Sequence, residues 1–355
     1  LSENIKKAKK HIKYTTSYDQ VRSTSTTIIL VNTPSNKTDG SFSNVYVEQT
    51  IISICENLHP KKNKGHHFIL SSTVMPRTIS KTLIPLIENI MPWSLDNGDF
   101  GFSFVPDFVA LGAIIDDFEN PDFLMIGSSN EKYALDAEDL YRKIISEDTP
   151  ISHLNLPEAE LAKVSLNAFI TTKISFANFL KLYTDRTPEN IDPVKVAMTI
   201  GQDKRIGRKY FRPGGPYGGT CFPRDTWAFT KAAEDVGLKS DQMFANEKIN
   251  DQIVENIISE IIKSRMKKVI LLGGAFKSGT SVVIQGLAEK LAIELGSYNI
   301  SLFLYEENEE TANNFKIENV TKIKSIEALS DHFYVVCNEE YAGKIPKNSV
   351  GLEPF

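Results

Sequence analysis

The chain has 355 residues, 41% hydrophobic and 24% charged, with a formal net charge of −5. That is the make-up of a globular protein of two or three domains, with no general attraction to nucleic acid or to an acidic membrane. Three scattered cysteines exclude a disulfide framework and suit a reducing compartment, so a cytoplasmic location is expected.

No apolar stretch approaches the ~20 residues that span a bilayer. No Cys/His cluster has zinc spacing, and His66-His67 is an isolated pair, so no metal is expected. The first residue is Leu1 rather than Met, which reads as a fragment.

Up to about residue 150, short apolar runs alternate with helical patterns. The runs predict strands over 26–31, 67–71, 101–105 and 123–126, and the patterns predict helices over 45–58 and 78–90. The run Thr26-Thr27-Ile28-Ile29-Leu30-Val31 is nearly continuous, as a parallel strand covered on both faces would be. Such alternation predicts a doubly wound α/β sheet.

Pro157 suits a helix start, and Glu158 and Glu160 favour its dipole. From there to about Tyr183 there is no Gly or Pro, and apolar residues occupy most faces. That predicts a long helix buried all round, as in a core or at a subunit interface. Shorter helical patterns continue to about Lys263. Strand-like runs then return at 269–272, 301–305 and 333–337, with a helix over 284–295.

The segment Gly214-Gly215-Pro216-Tyr217-Gly218-Gly219-Thr220-Cys221-Phe222-Pro223-Arg224-Asp225 is the most informative. Glycines let a backbone approach a ligand closely, and a thiol delivered by such a loop suits chemistry. A Gly-rich turn with a buried cysteine is the competing reading.

Lys163 and Asn167, four apart on the long helix, share a face that is otherwise apolar. The lysine either snorkels or pairs with Glu160, or it aims into a site, where it would stabilise a thiolate or an oxyanion. The basic run from Asp203 to Arg212 is either a solvated face or a diphosphate clamp. Val31 to Ser35, Ser72 to Pro76 and Phe104 to Asp107 each follow a strand, where open α/β sheets bind ligands. Ordinary turns and a helix N-cap are the alternatives there.

Taken in order, these segments resemble the UDP-glucose/GDP-mannose dehydrogenase family. The resemblance rests on Val31-Asn32-Thr33-Pro34, Ser72-Thr73-Val74, Pro106 to Gly112, Glu160 to Asn167, Asp203 to Gly207, Pro216 to Asp225 and Gly273 to Lys277. It implies two Rossmann-like doubly wound domains joined by a central helical domain with a long buried helix. The boundaries would be 1–155 for an NAD-binding domain lacking its first β-α-β unit, 156–263 for the helical, dimerising domain, and 264–355 for a UDP-sugar-binding domain.

The resemblance also implies an activity: four-electron, NAD-dependent oxidation of the C6 alcohol of a nucleotide sugar to a uronic acid. Cys221 would add to the aldehyde as a thiohemiacetal and carry the second oxidation as a thioester. Lys163 and Asn167 would stabilise oxyanions, Asp225 and Thr73 would hold or activate water, and Asp107 would assist deacylation. Arg205, Arg212, Tyr217, Gly218, Phe276 and Lys277 would hold the nucleotide sugar. Val31, Thr33, Pro34, Ser72, Thr73 and Arg224 would lie at NAD. UDP is the more common nucleotide in the family, a homodimer is expected, and the setting would be polysaccharide biosynthesis.

The chain departs from the family pattern in four places. The opening G-x-G-x-x-G unit is missing, Leu111 replaces a glutamate, Ile284 replaces an arginine, and the K-D after the cysteine is Arg224-Asp225. Asp107 also stands where Glu is usual. A non-catalytic nucleotide-sugar-binding protein with a degraded NAD site is therefore the alternative.

Overall fold

A computed structural model describes residues 6, 8–9, 11–36, 38–326 and 331–355. The chain divides into two compact units. The first comprises residues 1–36, 42–108 and 116–162, and the second 37–41, 109–115 and 163–355.

The first unit is built on a five-stranded sheet of β1 (Thr26–Ile29), β2 (His66–Leu70), β3 (Phe100–Phe104), β4 (Leu124–Ser128) and β5 (Ile151–Asn155), lying side by side in chain order. β1, β2 and β3 are parallel, β4 runs antiparallel to β3, and β5 is parallel to β4. Helix α1 (Val45–Asn57) and a π turn (Ile79–Leu83) leading into α2 (Ile84–Ile90) bury one face. Two further helices follow, α3 (Ile114–Glu119) and α4 (Glu131–Tyr141), and α4 covers the other face together with Ile69, Leu124 and Ile126. Alternate residues of β2 therefore point into different cores, Phe68 and Leu70 into one and Ile69 into the other.

The strands buried on both faces are β2, β3 and β4. β1 was the strand expected to be covered on both sides, and it is not. It lies at the sheet edge, with Ile28 and Leu30 at 50% and 67% exposure.

His66 and His67 are buried at the start of β2 and bond Thr27 and Ser103 at 2.9 and 2.8 Å. Burial holds both imidazoles down to about 4. Above pH 6.5 both are neutral, folded or unfolded. Between pH 6.5 and about 4 the unfolded chain takes up protons that the folded chain refuses. Stability should therefore fall as pH falls through that window, by up to roughly 3 kcal/mol per histidine. Urea unfolding at pH 7 and pH 4.5 measures this, and a His66→Gln/His67→Gln chain should lose most of the dependence.

Strand β5 runs directly into α5 (Leu156–Thr184), the long helix anticipated from the sequence. Its burial is confined to one side, which carries Glu160, Lys163, Val164, Ala168, Thr171, Ser175 and Asn178. Leu161, Phe169, Phe176, Phe179 and Tyr183 are exposed by 49% to 64%.

Glu160 is fully buried, and its two carboxylate oxygens accept the Arg77 and Ile79 amides at 2.9 and 2.8 Å. It thus caps the helical segment after β2. Burial raises its carboxyl above the usual range, against the pull of those amides. Glu160→Gln would turn one acceptor into a donor facing an N–H, so a loss of about 1–3 kcal/mol is expected in denaturant titration.

The second unit continues α5 and adds α6 (Pro193–Ile200), α7 (Phe222–Glu234) and α8 (Asp241–Ser264). A second, all-parallel sheet follows, of β6 (Lys268–Leu272), β7 (Ser301–Tyr305), β8 (Val320–Ile323), β9 (His332–Val336) and β10 (Val350–Leu352), in the order β10-β9-β6-β7-β8. Helices α8 and α9 (Leu287–Leu295) pack one face into a core with Leu182 of α5, and α10 (Glu309–Asn314) follows β7. Helix α9 starts three residues later than the expected 284, because Gln285 has a left-handed φ of 57°.

Candidate active site

The thiol is placed by the start of α7. Cys221 is the N-cap residue, Pro223 sits in the first turn, and the Cys221 carbonyl accepts the Asp225 amide at 2.8 Å. Cys55 and Cys337 are buried, and Cys221 is exposed, so the buried-cysteine reading does not hold here. Its Sγ makes no capping bond and lies 3.6 Å from the Thr220 hydroxyl.

One turn into α7, Asp225 is 1% exposed. Its carboxylate accepts Asn167 Nδ2 at 2.6 Å and Arg224 Nε at 3.0 Å. Asn167 therefore joins α5 to the cysteine helix. Lys163, one turn earlier on the same face of α5, is 7% exposed. Further along, the Thr171 and Thr226 hydroxyls meet at 3.1 Å. The Asn167–Asp225 and Thr171–Thr226 bonds thus join α5, which carries Lys163, to α7, which carries Arg224 behind the Cys221 cap. Arg224, expected at NAD, also pairs with Asp225.

The glycine loop differs from the expectation. A side chain on Gly218 would run into the Gln285 carbonyl, and one on Gly219 would lie 2.5 Å from the Phe276 ring. Gly219 has a left-handed φ of 79°, and its amide donates to the Ile284 carbonyl at 3.0 Å. The close approach is made by the protein's own chain. It brings Gly218, Gly219 and Phe276 together, with Lys277 Nζ 5.9 Å from the Phe276 ring centre. Tyr217 is buried, and its phenol is raised above the usual range by burial, with Glu247 and Asp251 adding charge beside it.

The basic run is a loop held from α5. Lys173 Nζ donates to the carbonyls of Ile206, Gly207 and Lys209 at 3.0, 3.4 and 2.7 Å. Arg205 has a side chain 88% exposed and pairs with Asp203 at 2.6 Å, while Arg212 is exposed. Lys173 was not singled out in the sequence, where it reads as one more lysine on a helix.

In the first unit, the loops after β1 and β2 are stitched together. The Val31 amide donates to Ser72 Oγ at 2.8 Å, Ser72 Oγ donates to the Val31 carbonyl at 2.7 Å, and Thr33 Oγ1 donates to the Thr73 carbonyl at 2.7 Å. Pro34 is exposed beside them. Asp107 follows β3 and adds negative charge near Tyr141, whose phenol burial raises. Beside these loops lies a cleft of about 700 Å³, lined by Tyr18, Leu30, Val31, Asn32, Tyr46, Gln49, Thr50 and Ser53. Its size is that of a small-molecule site, and its two tyrosines and four amide or hydroxyl side chains suit a flat, polar ligand. Among the described residues no acidic, His or Cys cluster could hold a metal ion. None of the described helices is long and apolar enough to cross a membrane.

The class of protein is an α/β one, with small hydroxyls at the strand ends of its first sheet and an exposed thiol in the helical segment that follows. Residues 1–145 match the NAD binding domain, and residues 157–252 the central domain, of the UDP-glucose/GDP-mannose dehydrogenase family. The chain belongs to that family.

It is 30% identical over 279 residues to the UDP-glucose 6-dehydrogenase AglM of Haloferax volcanii, covering 76% of this chain and 63% of that protein. It is 28% identical to the GDP-mannose 6-dehydrogenase of Pseudomonas savastanoi pv. phaseolicola, covering 83% and 66%. It thus spans less than two thirds of the length of these two relatives. The solved UDP-glucose dehydrogenase of Pyrobaculum islandicum aligns over 99% of this chain and 82% of its own, at 26% identity and a TM-score of 0.84.

Proposed function

We propose that this protein belongs to an NAD-dependent oxidoreductase that converts the C6 alcohol of a nucleotide sugar to a uronic acid. The observation that carries the reading is the exposed Cys221 thiol at the head of α7, with the Asn167–Asp225 pair one turn below it. When bound, NAD supplies the hydride acceptor, two equivalents per sugar. Val31, Thr33, Pro34, Ser72, Thr73 and Arg224 are the residues proposed to hold it.

The chain's own groups do the rest. The Cys221 thiolate adds to the aldehyde carbon formed by the first oxidation, giving a thiohemiacetal. Loss of its hydride leaves a thioester. Water then adds, and the C–S bond breaks to return the thiol and release the carboxylate. Lys163 and the Asn167 amide supply positive charge and an N–H to the oxyanions, since the amide carries a second N–H beyond the one given to Asp225. Asp225 in the second unit and Thr73 in the first are each proposed to hold or activate water, and Asp107 to assist the thioester hydrolysis. Arg205, Arg212, Tyr217, Gly218, Phe276 and Lys277 hold the nucleotide sugar, with UDP favoured over GDP. The Arg224–Asp225 pair fixes Asp225 beneath the thiol.

Incubation with NAD and a panel of UDP- and GDP-sugars tests this. Two NADH per sugar and a uronic acid product are expected. One NADH per sugar with no uronic acid would favour a one-hydride enzyme, and absence of NAD binding would favour the non-catalytic alternative.

We also infer a homodimer through α5. Leu161, Phe169, Phe176, Phe179 and Tyr183 fall within an arc of about 80° at 100° per residue, and monomers seldom expose so continuous an apolar stripe. Sedimentation should give a dimer, and Phe176→Asp/Phe179→Asp a monomer. The three-part division at 155/156 and 263/264, the cytoplasmic location and a role in polysaccharide biosynthesis stand as part of the same proposal.

A further inference from the structure

A strand of glycines has no side chains with which to fix itself, and glycine loses more conformational freedom on ordering than any other residue. The segment leading to Cys221 must therefore be held from outside. Two buried asparagines do this. Asn178, on α5, accepts the Gly214 amide at 2.9 Å on Oδ1 and donates from Nδ2 to the Gly215 carbonyl at 3.0 Å. Asn250, on α8, accepts the Tyr217 amide at 2.7 Å and donates to the Tyr217 carbonyl at 3.1 Å. A side-chain amide carries an acceptor and a donor side by side, so each mimics a neighbouring strand. Asn178 is 0% exposed and Asn250 3%.

We propose that Asn178 and Asn250 are positioning residues for Cys221, pinning the glycine segment so that its thiol is delivered to one place. The proposal rests on the reading of Cys221 as nucleophile. Its geometric basis is that α5 acts as a ruler. Lys163, Asn167, Thr171 and Asn178 lie within an arc of about 80° on one face of α5, and Asn167 and Asn178 are about 16 Å apart along the axis. Asn178 grips the start of the segment. Asn167 and Thr171 grip Asp225 and Thr226, just past its end. Asn250 holds the middle from a second helix. The thiol is thereby placed relative to the Lys163–Asn167 face by one rigid element.

The test uses the full chain with Asn178→Ala and Asn250→Ala. Asn246→Ala is the control: it lies one turn before Asn250 on α8 and is equally buried, but its amide donates to Thr172 Oγ1 at 2.8 Å. Amide hydrogen exchange of residues 214–220 should speed up at least tenfold in both variants, relative to β6, and stay unchanged in the control. Iodoacetamide labelling of the native protein reports Cys221, because Cys55 and Cys337 are buried. It should change at least threefold in the two variants, as the thiol is no longer held in one place on the loop. With substrate, kcat should fall 10- to 100-fold with KM within threefold.

Exchange that rises equally in β6, an unchanged loop, an unreactive parent thiol, or the same effects in Asn246→Ala would each overturn the proposal. Asn178→Asp and Asn250→Asp keep the size and the acceptor, and give the same readings if an alanine variant does not fold. If the parent oxidises no nucleotide sugar, the functional reading fails while exchange and labelling still decide this one.

Discussion

Cys221→Ala is expected to lower uronic acid formation by about 10³-fold or more, roughly 4 kcal/mol of barrier, with the fold retained. An aldehyde has no second hydride to give from an alkoxide carbon until something adds to it, and in the proposed mechanism the thiol is that addend. Neither other cysteine can replace it. Cys55 is buried in the α1 core with its thiol pushed up to about 12, and Cys337 is buried beneath the second sheet. Oxidation should therefore stop at the aldehyde, with one NADH per sugar in place of two. Fluid packing around the site is not expected either, because the sulfur is exposed and caps nothing. Absorbance at 340 nm with mass analysis of the product measures the stoichiometry. A Cys221→Ala chain that still gives two NADH per sugar would remove the thioester from the mechanism, and unchanged one-NADH turnover in both chains would point to a simple alcohol dehydrogenase.

The strands that could be read from sequence were β1, β2, β3, β4, β6, β7 and β9, each a short run rich in apolar residues. β5 reads Ile-Ser-His-Leu-Asn and β8 Val-Thr-Lys-Ile, both half exposed, and neither run is apolar enough to stand out. The edge position of β1 is a fact of sheet order, which hydropathy does not carry. The same gap explains α5. Its length was evident, but its inner face holds Glu160, Lys163, Thr171, Ser175 and Asn178 and its outer face holds phenylalanines, the reverse of what hydropathy suggests. Buried polar groups are tolerated where they are partnered, and the partners of Glu160 lie some 80 residues away in sequence. A nearby Lys163 was the obvious partner to infer from sequence alone. Asn178 sits in the run Phe176-Ala177-Asn178-Phe179, and a lone amide among apolar residues was the signal available for it. Lys163 and Asn167 were legible as one helix face from their spacing of four, Cys221 from the glycines before it, and Asp225 through the family resemblance.

Lys163→Met separates catalysis from stability. The lysine is buried and methionine of similar length fills its place, and the relief of its desolvation cost is set against the loss of the partner it holds. Unfolding free energy should change by less than about 2 kcal/mol in either direction. The charge that would meet the oxyanion is lost, and kcat should fall about 10²- to 10³-fold, the usual cost of one such group in a water-poor site. Asp225→Asn should behave differently. Its carboxylate accepts both Asn167 and Arg224, so the amide would leave Arg224 without its anion and offer a donor to one of two donors. Stability should fall by about 1–3 kcal/mol as well as kcat. The double variant decides between independent and shared roles. If Lys163 and Asp225 act on the same oxyanion and water through Asn167, the two losses in kcat should fall short of adding. Full additivity would place Lys163 outside that network and leave the thioester's oxyanion to the amide alone.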